Sequence, residues 1–391
     1  MSPIERIKTF HADLTATRQD IHAHPELGFT EHRTSDVVAK QLEALGIEVH
    51  RGVGGTGVVG VLREGNGPVS IGLRADMDAL PILEATELPY KSTRPGVMHA
   101  CGHDGHTTML LGAARYLAET RNFNGTVNFI FQPAEEGLGG AQAMLKDELF
   151  QRFPCDTVFG MHNHPGLPVG QFAIRPGTMM AAGAFFDIHV EGRGSHGARP
   201  EVSIDSVLVA SHIVTALQAI VARNVSPIDT AVVSATAIHG GDAYNVIPQS
   251  AEIRGTVRTF KNETMTLVEE NMKRTATGVA AAFGATASVD FRKLFAPLVN
   301  DPAETAEFAD VAAEIVGEQN VDRERSLIMA SEDFSFMLEK RPGAYINIGN
   351  GDTVGSVPVH NPGYNFNDEI LPLGAAALAG IVEKKLPRFM G

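Results

Sequence analysis

Val69-Ser70-Ile71-Gly72-Leu73-Arg74-Ala75-Asp76-Met77-Asp78 decides the fold. The short apolar run at 69–73 reads as a strand, and it leads straight into a guanidinium and two carboxylates. Upstream, residues 3–24 and 31–46 read as helices. In the second, Val37, Val38, Leu42 and Leu45 fall at helical spacing and Gly46 ends the pattern. Residues 47–50 and 58–63 read as strands around a glycine-rich turn. Downstream come a helix at 107–120, a buried strand at 126–131 and another at 157–161. Strands and helices that alternate this way favour an α/β sheet with functional residues at strand ends.

The texture changes near Ala184. A strand at 185–190 is followed by a polar glycine-rich loop and a long apolar helix at 203–223. Strands at 230–238 and 250–258, a helix at 262–283 and a strand at 286–292 complete the order β-α-β-β-α-β, which predicts a ferredoxin-like α+β sandwich. Phe295-Ala296-Pro297 reads as the return crossing. The expected architecture is an α/β domain, residues 1–183 plus 296–391, with a compact domain at 184–295 inserted into it.

With 391 residues the chain has room for both domains. Its apolar content of 43% and charged content of 20% fit a soluble globular protein. A net charge of −14 argues against nucleic-acid and anionic-membrane partners. Two cysteines cannot build a disulfide network and suggest a reducing compartment. The N-terminal residues lack a signal-peptide core, and no apolar run approaches the ~20 residues that span a bilayer, so a cytoplasmic protein is expected.

The densest chemistry lies in Met98-His99-Ala100-Cys101-Gly102-His103-Asp104-Gly105-His106. A thiolate and an imidazole two positions apart can converge on one soft or borderline divalent metal, and the small residues let the backbone bend around it. Phe131-Gln132-Pro133-Ala134-Glu135-Glu136-Gly137 ends a strand in adjacent acids, an expensive arrangement unless a cation neutralises it. One of these carboxylates can ligate metal while its neighbour takes a proton from a water. Asp76 then reads as a carboxylate that orients a metal-bound imidazole.

His162 and His164 follow the strand that starts at residue 157, and His360 sits in a turn before a helix that begins near Asn367. Taken alone, each is an ordinary loop histidine. In the inserted domain, the loop Gly194-Ser195-His196-Gly197-Ala198-Arg199-Pro200 carries an imidazole. Asn245 and Arg258 add a neutral amide and a fixed cation, types that suit an oxyanion and a carboxylate. Gly52-Val53-Gly54-Gly55-Thr56-Gly57 matches a dinucleotide-binding pattern, but a β-branched strand follows it where a helix is needed, so it reads as a tight β connection. Cys155, beside Pro154, has no histidine cluster and reads as inert.

Together these motifs resemble the two-metal aminoacylase/carboxypeptidase G metallohydrolases, in the branch of hippurate hydrolase and the plant indoleacetyl-amino-acid hydrolases. The resemblance rests on His22-Ala23-His24-Pro25-Glu26-Leu27-Gly28, Arg74–Leu80, His99–His106, Gln132–Gly137, Ser195–Pro200 and Ser331-Glu332-Asp333-Phe334. It implies two divalent ions per subunit held by Cys101, His103, Glu136, His162 and His360, with Glu135 as general base. It also implies that His196 stabilises the oxyanion and reaches a partner subunit's site, that Asn245 and Arg258 hold the substrate carboxylate, and that the inserted domain is a lid and dimerisation domain in a homodimer or homotetramer. His106 and His164 receive no ligand role, and the His22–Gly28 signature receives no chemical one. Peptidase members carry a ligating histidine where this chain has Arg74, so Cys101 is expected to replace it and soften the site. Zinc, cobalt and nickel suit the thiolate and imidazoles, while the carboxylates admit manganese.

The implied reaction is hydrolysis of N-acyl amino acids. A dipeptidase or carboxypeptidase could use the same site. A nicotinamide oxidoreductase would rest only on Gly52–Gly57, and a non-catalytic metal or amino-acid binder would have no need for the free-standing acid beside a ligand.

Overall fold

The computed structural model describes residues 2–353 and 356–388. The chain divides into two compact units, one of residues 1–179, 299–326 and 333–391, the other of residues 180–298 and 327–332.

The first unit is built on an eight-stranded mixed sheet. Its order is Glu48–Val53, Gly57–Glu64, Gly125–Gln132, Ser70–Asp76, Thr157–Pro165, Gly343–Gly351, Phe172–Ala173 and Val321–Asp322. The four strands from Gly125–Gln132 to Gly343–Gly351 run parallel, so their C-terminal ends share one edge. Ser70–Asp76 and Gly343–Gly351 are buried along their whole length. Helices cover both faces of a parallel sheet, so such strands need not alternate polar and apolar residues. The helices His103–Thr120 and Leu371–Lys385 pack in the same core, with Leu110, Ala114, Leu117, Ala375, Leu378 and Val382 among its fully buried members.

Three details depart from the sequence reading. The first helix is two, Pro3–Lys8 and His11–Ala23. The Thr9 hydroxyl donates to the Arg6 carbonyl and Phe10 turns into the core, which ends the first segment. The strand at 157 runs on to Pro165, so His162 and His164 lie on it and, two apart, share a face. The third is the segment Ser206–Asn224, 19 residues with a mean hydropathy of 1.5, which is long and apolar enough to cross a membrane by length and composition. The expectation that no run approached that length is corrected. Here Val209, Ala210, Ile213, Leu217 and Ile220 are buried in the second unit's core, while Val207 and Leu208 are exposed.

Gly52–Gly57 closes an antiparallel hairpin between Glu48–Val53 and Gly57–Glu64, as expected for a β connection. Gly54 has a φ of +66°, and a Cβ there would lie 2.6 Å from the Met144 backbone nitrogen, so close approach as well as turn conformation selects glycine.

The second unit is a four-stranded antiparallel sheet in the order Ala231–His239, Ser250–Thr259, Ala182–Glu191, Thr286–Phe295. The helices Ser206–Ala219 and Asn262–Ala282 bury Val209, Ile213, Val268 and Met272 against Phe186, Ile188, Ile253 and Val257. This is the ferredoxin-like chain order. Residues 327–332 also belong to this unit, where Ala181 N–H donates to the carbonyls of Ile328 and Ala330, both at 3.0 Å.

Candidate metal centre and active site

The shared edge of the parallel strands collects the polar residues. Ser70–Asp76 ends in Asp76 with Asp78 just beyond, Gly125–Gln132 leads into Glu135 and Glu136, and Thr157–Pro165 carries His162 near its end. His103 opens the helix His103–Thr120 behind Gly102, whose φ of +103° is left-handed and whose missing Cβ leaves room for Asn163 and Tyr364.

These elements bring five sequence-predicted residues together as two groups, Cys101 with His103 and His162, and Cys101 with Glu136 and His360. Within each group one ligand atom per residue lies within 4.8 Å of the others. Cys101 is common to both. Its Sγ is 3.3 Å from His162 Nε2, and His360 Nε2 is 3.2 Å from Glu136 Oε1. The donor set fits divalent cations, because His103 Nε2 is buried without a hydrogen-bond partner, as an atom awaiting a metal would be. Burial and the neighbouring His106 charge hold His162 well below the usual imidazole range, keeping it in the neutral ligand form. His360 has a left-handed φ of +66° and is fixed by its N–H donating to the Ala100 carbonyl at 2.7 Å.

The orientation of His103 comes from Asp78. Its Nδ1 is 2.9 Å from the Asp78 carbonyl and 3.1 Å from Asp78 Oδ1. Asp78 Oδ2 also accepts from Glu136 N–H at 3.0 Å. The expectation placed Asp76 in this role. Asp76 lies 2.6 Å from His106 Nδ1 and only 3.7 Å from His103 Nε2. His106 in turn bridges to Asn163 Oδ1 at 2.6 Å and lies edge-on to His162. Burial raises Asp76, but His103, Arg74 and His106 outweigh it and hold the carboxyl well below the usual range.

Arg74 is fully committed elsewhere. It donates to Asp76 Oδ2 at 2.7 Å, Gln132 Oε1 at 2.9 Å and Asp333 Oδ1 at 3.2 Å, and lies over the Phe334 ring. The Ser331–Phe334 motif thus acts through Asp333, whose N–H also donates to Glu135 Oε1 at 3.3 Å. His164 faces Arg325 at 3.0 Å and stands outside both groups, and Cys155 is buried, its thiol pushed up to about 12 by desolvation.

The second unit holds His196, Asn245 and Arg258. Val246 pairs with His196 in a two-residue ladder, and Gly197 N–H donates to the Asn245 carbonyl at 2.7 Å, so the first two are neighbours. Arg258 lies on Ser250–Thr259, where Nη1 donates to the Thr256 hydroxyl at 2.5 Å and the Val257 carbonyl at 3.0 Å. It pairs with no carboxylate among the described residues, and burial alone pushes its guanidinium down, which suits a cation reserved for an anionic ligand.

The His22–Gly28 signature acquires a role in the structure. His22 Nδ1 is 2.9 Å and Arg18 Nη1 3.3 Å from Asp104 Oδ2; all three are fully buried, the first two on the helix His11–Ala23 and Asp104 in the first turn of the His103 helix. Leu27 bridges to Ala79, and Ala79 N–H donates to the Glu26 carbonyl, which backs the Asp78 loop. Burial pushes His22 down, but its bonds to Asp104 and Glu84 prevail and raise it to about 9. Because this folded-state value lies above the usual 6.5, the stabilisation is fully present below pH 6.5 and lost as pH rises through about 9. The shift corresponds to roughly 3 kcal/mol. Melting curves of wild type and His22→Gln between pH 6 and 10 should therefore converge toward the alkaline end. A constant gap would show that His22 is uncharged in the fold.

An α/β sheet with ligand-type residues at its carboxyl edge, a buried acid beside them and a separate α+β unit defines a metallohydrolase-type architecture. The comparisons with known proteins give the family. The chain belongs to peptidase family M20/M25/M40, whose model matches residues 72–384. It is 46% identical over 387 residues to a hippurate hydrolase of Campylobacter jejuni, covering 99% of this chain and 100% of that protein. It is 41% identical to the IAA-amino acid hydrolase ILR1-like 2 of Arabidopsis thaliana, covering 94% and 84% of the two chains. Among solved structures, the Bacillus subtilis YXEP protein, described as a dinuclear metal binding peptidase of the M20 family, superposes with a TM-score of 0.83. It is 36% identical, and the match covers 97% of this chain and 99% of that one.

Proposed function

We propose that this chain is a metal-dependent amidohydrolase that cleaves the amide bond of N-acyl amino acids, hippurate among them, to a carboxylic acid and a free amino acid. The observation that carries this reading is the pair of ligand groups sharing Cys101 with the Glu135 carboxylate beside them. His103 with His162, and Glu136 with His360, would hold two divalent ions. The hippurate hydrolase and IAA-amino acid hydrolase relatives support the substrate class, and the YXEP protein supports two metals. Bound there, the ions supply Lewis acidity toward water and the acyl carbonyl. Thiolate and imidazole donors favour zinc, cobalt or nickel, and the carboxylate admits manganese.

Glu135 takes the proton from the attacking water and passes it to the leaving amine. Asp78 holds the His103 ring and the Glu136 backbone still while it does so. His196 stabilises the oxyanion, and Asn245 and Arg258 hold the amino acid's carboxylate. The second unit serves as lid and as the surface for a homodimer or homotetramer. Among the described residues its edge strand Ala231–His239 pairs on one side only, and it exposes Val232 and Ile238, which supports that role. A reducing cytoplasmic setting would preserve the Cys101 thiol.

The test compares metal-loaded enzyme on benzoylglycine, benzoylglycinamide and an unblocked dipeptide. Benzoylglycine should be the best substrate by kcat/KM, and preference for the dipeptide would instead identify a peptidase. Arg258→Ala should raise KM for benzoylglycine about 10- to 100-fold, as expected when a charge-assisted hydrogen bond is lost. The same variant should leave benzoylglycinamide nearly unchanged. Equal effects on both substrates would remove the carboxylate assignment.

A further inference from the structure

Glu31 is fully buried at the start of the helix His32–Ala44, yet it forms no ion pair with a cation among the described residues. Its carboxylate has two donors instead. Oε1 accepts from Ala134 N–H at 2.8 Å, and Oε2 accepts from the Thr56 hydroxyl at 2.5 Å. Burying a carboxylate this way is costly if packing alone is the purpose.

The residue it grips is unusual. Ala134 has a φ of +54°, a left-handed conformation that a Cβ disfavours, and it is the residue immediately before Glu135. Ala134 carbonyl accepts from Gly140 N–H at 3.0 Å, and two positions on Glu136 N–H donates to Asp78 at 3.0 Å. The short segment is therefore held at Ala134 N–H, Ala134 C=O and Glu136 N–H, with Glu135 between the grips. Rotation of Ala134 back to an ordinary φ would turn the following peptide and re-aim both acids.

We propose that Glu31 is a positioning residue for Glu135, its carboxylate holding Ala134 in the left-handed conformation that points one acid at the water and its neighbour at the metal. The proposal rests on the reading of Glu135 as general base. It also gives the glycine-rich hairpin a purpose, since Thr56 supplies the second donor that fixes the Glu31 carboxylate.

The test is a double-mutant cycle on benzoylglycine with metal content measured by elemental analysis. Glu31→Ala should lower kcat about 100-fold, the cost of a small misplacement, with KM and bound metal little changed. Glycine reaches positive φ about as readily as negative, so in an Ala134→Gly background the same substitution should cost only about tenfold. Equal losses in the two backgrounds, or full kcat in Glu31→Ala, would overturn the proposal. Should Glu31→Ala fail to fold, Glu31→Gln decides. Its amide oxygen can still accept from Ala134 N–H, so kcat should stay within about threefold of wild type, and a 100-fold loss would overturn the role of that bond. Glu135→Gln run alongside separates the two ideas. If that variant is active the base assignment fails, whereas if it is inactive while the Glu31 variants keep full kcat, only the positioning role fails.

Discussion

Glu135→Gln is expected to lower kcat on benzoylglycine about 1,000-fold while leaving both metal ions in place, since a positioned general base contributes on that order. The substitution is nearly isosteric, and the amide oxygen can still accept from Asp333 N–H as Glu135 Oε1 does now at 3.3 Å. What it cannot do is take a proton from water. Metal should survive because Glu135 belongs to neither of the groups that share Cys101, although it lies close to His103 and Glu136. Glu136→Gln makes the contrast. It weakens a ligand, so metal and activity should fall together and excess metal should restore part of the rate. Wild-type turnover in Glu135→Gln would remove the base assignment, and loss of metal from that variant would make Glu135 a ligand.

The parts of this protein that were legible in its sequence are those governed by short-range pattern. Residues 69–78 announce a buried strand ending in acids, the β-α-β-β-α-β order announces the second unit, and a rare cysteine two positions from a histidine marks a segment that the fold brings into two candidate metal-ligand groups. The strand after Gly52–Gly57 argues for a tight β connection, and the hairpin there bears that out. What stayed hidden depends on partners far apart in the chain. Arg18 and Asp104 are 86 positions apart, and Glu31 and Ala134 are 103 apart. A buried charge reads as a surface charge until its partner is known. Asp76 and Asp78 look alike in sequence, two carboxylates two positions apart at a strand end, and only the fold decides that Asp78 meets His103 Nδ1. The length of Thr157–Pro165 is hidden in the sequence because His162, Asn163 and His164 make a strand end look like a loop.

Cys101→Ser should weaken both metal sites at once, by at least about 100-fold in affinity, since even partners that merely orient a ligand are worth 10- to 100-fold. By the family resemblance, Cys101 stands in for the ligating histidine whose place Arg74 takes. The geometry adds a stronger reason for its effect. Arg74 is turned toward Asp76, Gln132 and Asp333, and the Cys101 sulfur is the one ligand atom common to the two groups. His162 belongs only to the group with His103, and His360 only to the group with Glu136. Substituting either histidine should therefore deplete one ion preferentially, whereas the serine, whose hydroxyl stays protonated and binds metal poorly, should deplete both. Competition with a chromophoric chelator reads the two affinities separately. Loss of a single ion from Cys101→Ser would make the thiolate a terminal ligand of one group, and full occupancy with lost activity would place it outside the metal shell. Replacing the soft donor by oxygen should also move the preference of the residual site from zinc toward manganese.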